Sequence, residues 1–321
     1  MNPLPKAELH LHLEGTLEPE MIFRFAERNH IRLPYADVDE LAARYEFDDL
    51  QSFLNLYYAN MATLLTGEDF AELTEAYLAR AAAGGVRHAE VFLDPQAHTA
   101  RGIPLEAVLE GDTSALGKAE QRHGISTGLI VAILRDESAE SAMATLDAVL
   151  ASGVEVLGIG LDSAEVGHPP SKFVDVFAKA RANGLRAVAH AGEEGPPSYI
   201  WEALDLLRVE RIDHGVRCLE DAALVDRLAA EQIPLTVCPL SNVRLQVVPD
   251  LSRHPLPEML ARNLLVTVNS DDPAYFGGYV EDNYAALSVP TETLRELAAN
   301  SIRASFLDNT RKAELLSELA V

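Results

Sequence analysis

The stretch Lys6-Ala7-Glu8-Leu9-His10-Leu11-His12-Leu13-Glu14-Gly15 decides how the rest of the chain is read. It has the pattern of a strand carrying two imidazoles. Successive side chains in a strand alternate between faces, so His10 and His12 fall on one face and Leu9, Leu11 and Leu13 on the other. Same-face neighbours sit about 7 Å apart, and their rings can converge on one metal ion at about 2.0–2.1 Å. Alone, the pair fits two hydrogen-bonded pocket histidines equally well. Further ligands must come from elsewhere in the chain.

Working outward, residues 16 to about 85 read as almost wholly helical. Pro19 suits a first helical turn, and Ile22, Phe23, Phe25 and Ala26 supply an apolar stripe. A second pattern runs through Phe53, Leu54, Tyr57, Tyr58, Met61 and Leu65. A third opens at Thr66-Gly67-Glu68-Asp69 and stops at Gly84-Gly85, which suit an N-terminal capping box and a C-terminal cap. An insertion of this length after a first strand is a candidate lid over an active face. Beyond it strands and helices alternate: short β-branched-rich runs at 86–93, 125–134, 154–161, 185–190, 209–213, 233–238 and 264–269 are separated by helical patterns such as 105–123. With the first strand this makes eight, the number that closes a parallel (β/α)₈ TIM barrel of the α/β class. Helices at 279–287, 291–306 and 311–319 follow. No linker or low-complexity segment divides the chain, so 1–321 is expected to be a single domain with a helical insertion at about 16–85.

Composition narrows the function. An apolar fraction of 48% supports a large core, and 26 Lys plus Arg against 50 Asp plus Glu leave a net charge of −24. Such a surface disfavours nucleic acid and anionic membranes as partners. Cys218 and Cys238 are the only cysteines and form no Cys-x-x-Cys pair, which excludes a short-spaced thiolate zinc site. No leader-like segment opens the sequence and no apolar run reaches the ~20 residues of a membrane span, so a reduced, cytoplasmic setting is expected.

Active sites of such barrels lie at the C-terminal ends of the strands. There the sequence places His10 and His12, Asp162-Ser163-Ala164-Glu165, His190-Ala191-Gly192-Glu193, Asp213-His214-Gly215, and Ser270-Asp271-Asp272-Pro273. Three histidines and an aspartate from this set complete an N/O coordination sphere for a divalent metal.

These motifs, in this order from Lys6 to about Tyr284, resemble those of the adenosine and adenine deaminases within the metal-dependent amidohydrolase superfamily. The resemblance implies one zinc held by His10, His12, His190 and Asp271. The absence of lysine from 154–165, where two-metal relatives usually carry a bridging carboxylated lysine, agrees with a single ion. It further implies Glu193 as the acid that protonates the ring nitrogen beside the attacked carbon, and His214 as the base that assists water. Asp272 would hydrogen-bond N7 of the purine. Within the family, Asp271 to Tyr279, Phe92 to His98 and Gly160 to Glu165 look like the adenine type. Adenosine enzymes usually carry glycine where Ser163 stands and aspartate where Glu14 stands, so these two are expected at the substrate. The small-molecule substrate is thus expected to be adenine, with adenosine or an N6-substituted adenine as the alternative. A metal phosphoesterase is the more distant one. Trp201 and the tyrosines of the helical insertion are read as core.

Overall fold

The computed structural model of the chain describes residues 3–320. Eight strands, β1 (Lys6–Glu8), β2 (Val86–Leu93), β3 (Ser126–Leu134), β4 (Gly158–Asp162), β5 (Arg186–Ala191), β6 (Arg211–His214), β7 (Leu235–Val237) and β8 (Val266–Val268), form one sheet in sequence order. Every neighbouring pair is parallel. The ring closes just beyond β1 and β8, where Leu11 bridges Asp271: the Asp271 N–H donates to His10 O at 3.1 Å and the His12 N–H to Asp271 O at 3.0 Å. This is the eight-stranded parallel barrel expected from the sequence. Phe92, Ile130, Ala132 and Val188 form a small cluster of their own inside it, while the outward-facing residues share one large core with the surrounding helices.

The first strand differs from its sequence pattern. Regular pairing stops at Glu8, before the histidines, and Leu9 does not join Leu11 and Leu13 in the large core; it packs with Ala7 and Ala304. The Leu9 N–H donates to the side chain of Asn269 instead of to a strand neighbour. A break in a strand re-aims the side chains that follow it. The two histidines therefore owe their direction to the bridges at Leu11–Asp271 and His12–Phe92 as much as to strand alternation.

The insertion holds four helices: α1 (Pro19–Arg28), α2 (Val38–Ala42), α3 (Leu50–Met61) and α4 (Gly67–Ala83). The short α2, capped by Asp37, has too few apolar residues to show a helical period, and the sequence reading misses it. Thr66 and Asp69 cap α4 reciprocally, as their spacing predicts. Asp49 and Ser52 do the same for α3, whose first N–H also meets Glu194 Oε1 at 3.1 Å. The helix expected over 105–123 is two helices, Leu105–Leu116 and Ala119–His123, broken at Gly117.

A candidate metal-dependent active site

Four ligand atoms, one each from His10, His190, His214 and Asp271, lie within 4.8 Å of one another, and all four residues are buried. His10 Nε2 stands 3.1 Å from Asp271 Oδ1, His12 Nε2 3.6 Å from the same oxygen, and His12 Nε2 3.1 Å from His190 Nε2. These spacings bracket the roughly 3.3 Å edge of a tetrahedron with ~2.0–2.1 Å bonds. His10 Nε2 has no hydrogen-bond partner although fully buried, while its Nδ1 meets Thr236 Oγ1 at 2.9 Å. Likewise His190 Nδ1 meets Leu161 O at 3.0 Å, leaving its Nε2 for the cluster. Each ring is thus oriented from behind with its free nitrogen converging on one point, the arrangement that metal-ligating histidines adopt. Donors of N and O without thiolate suit a divalent ion of the zinc kind.

Backbone geometry contributes. Ser163, His214 and Asp271 are three of the eight non-glycine residues with positive φ among the described residues, at 70°, 64° and 67°. That left-handed conformation is costly for a side chain, and here it turns strand ends inward onto one cavity. Gly15 is required for a different reason: a Cβ there would lie 2.6 Å from the Cα of Asp272.

The cavity is lined by His12, His190, Glu193, His214, Asp271 and Asp272 below and by α3 above. Leu50, Phe53, Leu54, Tyr57 and Tyr58 present one face of α3 to it. Glu193 Oε2 is 3.5 Å from His214 Nε2, and its Oε1 has no partner. Burial, with Asp271, Glu165 and Glu194 nearby, pushes the Glu193 carboxyl well above its usual range, so it keeps a proton. Burial, opposed by Asp271, lowers His214 to about 3, leaving a neutral imidazole able to accept one. Burial and Asp271 raise Asp272 as well. For Asp271 itself burial is outweighed by His10, His214 and His12, which hold the carboxylate ionised.

A family model described as adenosine deaminase matches residues 5–321. A curated protein from Streptomyces coelicolor named adenine deaminase is 62% identical over 99% of this chain and 95% of its own length. A crystal structure of an adenine deaminase from Arthrobacter aurescens is 62% identical, superposes with a TM-score of 0.98 and covers 99% of this chain and 98% of that one. An amidohydrolase from Burkholderia ambifaria, with bound Zn, is 31% identical with a TM-score of 0.91 over 99% of this chain and 90% of that one. This chain belongs to the adenosine deaminase family. It is a deaminase, a hydrolase of the amidohydrolase type, and the metal dependence of that family fits the converging imidazoles.

Against this family background, the structure brings together nearly all the residues that the sequence singles out. His10, His12, His190, His214, Asp271, Glu193 and Asp272 meet at one end of the barrel, and Ser163 lines the cavity, its Oγ accepting from Tyr58 OH at 2.8 Å. Glu14 is not among the residues that line the cavity. The chain turns into a short 3-10 segment at Glu14–Thr16 that buries the carboxylate. Its Oε1 accepts from the Asp94 N–H at 3.0 Å and meets His98 Nε2 at 2.8 Å, while its Oε2 has no partner. Through Oε1, Glu14 braces the Asp94 turn.

Several residues contribute in ways to which the sequence reading assigns no role. Tyr57 and Tyr58 line the cavity while also packing with the large core, because α3 folds back over the strand ends. Asp94 and Asp162 also face it. Glu165 accepts four backbone N–H groups, from Gly192, Glu193, Glu194 and Gly195, at 2.7 to 3.1 Å, and so clamps the loop that carries Glu193. A glutamate a few residues past a strand end is the one signal that could have flagged it. Among the described residues no helix is long and apolar enough to cross a membrane.

Proposed function

We propose that this protein is a zinc-dependent adenine deaminase with one zinc per chain, converting adenine and water to hypoxanthine and ammonia in purine salvage. The observation that carries the reading is the convergence of His10 Nε2, itself without a hydrogen-bond partner, and His12 Nε2 on Asp271, with Glu193 and His214 beside them. The relatives named adenine deaminase support the base as substrate, and the amidohydrolase with bound Zn supports the metal.

His10, His12, His190 and Asp271 would hold the ion. When bound, zinc supplies Lewis acidity that brings the pKa of water from 15.7 to about 7. Glu193 donates its proton to N1 of the purine as water attacks C6. His214, neutral, takes a proton from that water and returns it to the departing amino group, which leaves as ammonia as the C6 hydroxyl gives its remaining proton back to the Glu193 carboxylate. Asp272, also protonated, donates to N7 and holds the ring in plane with Ser163. None of the lining residues is Lys or Arg, whereas Asp94, Asp162, Glu193, Asp271 and Asp272 are all carboxyls. Such a cavity repels phosphate, which counts against both a phosphoesterase and a nucleotide deaminase. In this reading the whole chain is one catalytic domain acting on a free purine base in the cytoplasm.

The test is ammonia release from adenine, adenosine and N6-methyladenine by protein of measured metal content. Adenine is expected to have the highest kcat/KM, with about one zinc per chain and with activity lost on chelation and restored by zinc. A higher kcat/KM for adenosine overturns the substrate assignment.

A further inference from the structure

Asp94 and Asp162 form a second cluster in the same cavity, their two carboxyls hydrogen-bonded to each other. Their carboxylate oxygens and a ring nitrogen of His12 lie within 4.8 Å of one another, and both residues are only 2% exposed. Asp162 has an evident duty, since its Oδ2 stands 3.5 Å from His12 Nδ1 and steadies that ring. Asp94 has none. It occupies the N-cap position of the short helix Pro95–Thr99, where an aspartate ordinarily bonds the helix N–H groups, yet its side chain makes no capping bond. Its Oδ1 is buried with no partner and the residue lines the cavity. An ionisable group held so is costly unless a ligand completes it.

The backbone is built to keep Asp94 there. Glu14 accepts the Asp94 N–H, His98 steadies Glu14, and Arg101 donates to His98 Nδ1 at 2.8 Å. Glu14, His98 and Arg101 thus hold the turn from which the Asp94 carboxyl lines the cavity.

A purine base and its nucleoside differ at the imidazole ring. The base carries a ring N–H, at N9 in the tautomer whose N7 faces Asp272; the nucleoside carries a sugar there and has no proton to donate. We propose that Asp94 accepts the N9–H of the free base and is the residue that selects bases over N9-substituted purines. This rests on the adenine deaminase reading and names the group that makes it selective. Burial beside Asp162 and Glu14 raises the Asp94 carboxyl, and the residue lines the cavity with its Oδ1 unpartnered. Glu14 enters the substrate question indirectly, by placing Asp94.

The test compares adenine with 9-methyladenine, which removes the N–H while adding one methyl group. Wild-type protein should prefer adenine by at least ~100-fold in kcat/KM, since a site built to bond an N–H rejects the analogue lacking it. Asp94→Ala should lower kcat/KM for adenine by about 100-fold and leave 9-methyladenine unchanged or improved, so that the ratio collapses. Asp94→Asn, which keeps an acceptor oxygen of the same size, should retain much of the preference. Zinc content and 9-methyladenine turnover report whether each variant is intact. Equal losses on the two substrates in a metal-replete Asp94→Ala protein, or a wild-type enzyme indifferent to the methyl group, overturn the assignment of Asp94 while leaving adenine as substrate. A wild-type enzyme that prefers adenosine overturns both.

Discussion

Two clusters of buried charge sit at opposite ends of the same barrel, and they are treated in opposite ways. At the N-terminal end Arg211 and Glu90, each fully buried, pair directly; His88 Nε2 meets Glu90 Oε1 at 3.2 Å, and the Arg211 guanidinium carbon lies 4.9 Å from the Phe306 ring. At the C-terminal end Glu193 Oε1, Asp94 Oδ1 and Asp272 Oδ1 have no partner. The pKa directions follow. Burial alone would raise Glu90, but Arg211 and His88 outweigh it and hold the carboxylate at about 2. At the other end nothing outweighs burial for Glu193 or Asp272, and both are raised. Charge that is matched locks the barrel, whereas charge left unmatched is reserved for a ligand.

The contrast breaks first, and most visibly, at Glu193. Glu193→Gln should keep zinc and lose at least ~10³-fold in kcat, about 4 kcal/mol of barrier, with Tm unchanged or higher because a buried unpaired acid has been removed. Activity within tenfold of wild type would contradict the acid role. The next largest effect belongs to the other end. Glu90→Gln leaves the buried Arg211 with only Asp213, at 3.5 Å, as counter-charge and should cost about 3 kcal/mol in denaturant unfolding, while kcat at permissive temperature changes little. Equal damage to stability from both variants would erase the distinction between the two ends.

A smaller effect, in pH, sharpens the sign. Glu90 is depressed below its unfolded value of about 4.3, so its contribution is fully present above that pH and is lost as pH falls toward about 2. Thermal unfolding of wild type should therefore lose stability across that window, and Glu90→Gln should flatten this part of the profile.

How much of this was legible beforehand differs between the parts. Strand β2 has its sequence-derived bounds, and β3 and β5 shift by one residue, because parallel strands buried on both faces read as continuous apolar runs. β1 was drawn too long: alternation predicts faces only while pairing is regular, and here it lapses after Glu8. That the residues implied as ligands and proton carriers lie together was legible because motifs at strand ends converge in any barrel. That Glu14 turns to His98 was not, because a tight turn is invisible to side-chain periodicity.

The sequence by itself thus determined the barrel, the histidine and carboxylate chemistry at its C-terminal end, and the family. These rest on local periodicity and on short motifs whose spacing is set within a few residues. Only the tertiary structure decided what covers the cavity and which carboxyls are left without partners. α3 comes to rest over strand ends more than a hundred residues away, with Tyr58 on Ser163, and Glu14 reaches 80 positions along the chain to set Asp94. Whether a buried polar atom is satisfied depends on every element packed around it. That property belongs to the folded molecule and to no single segment of it.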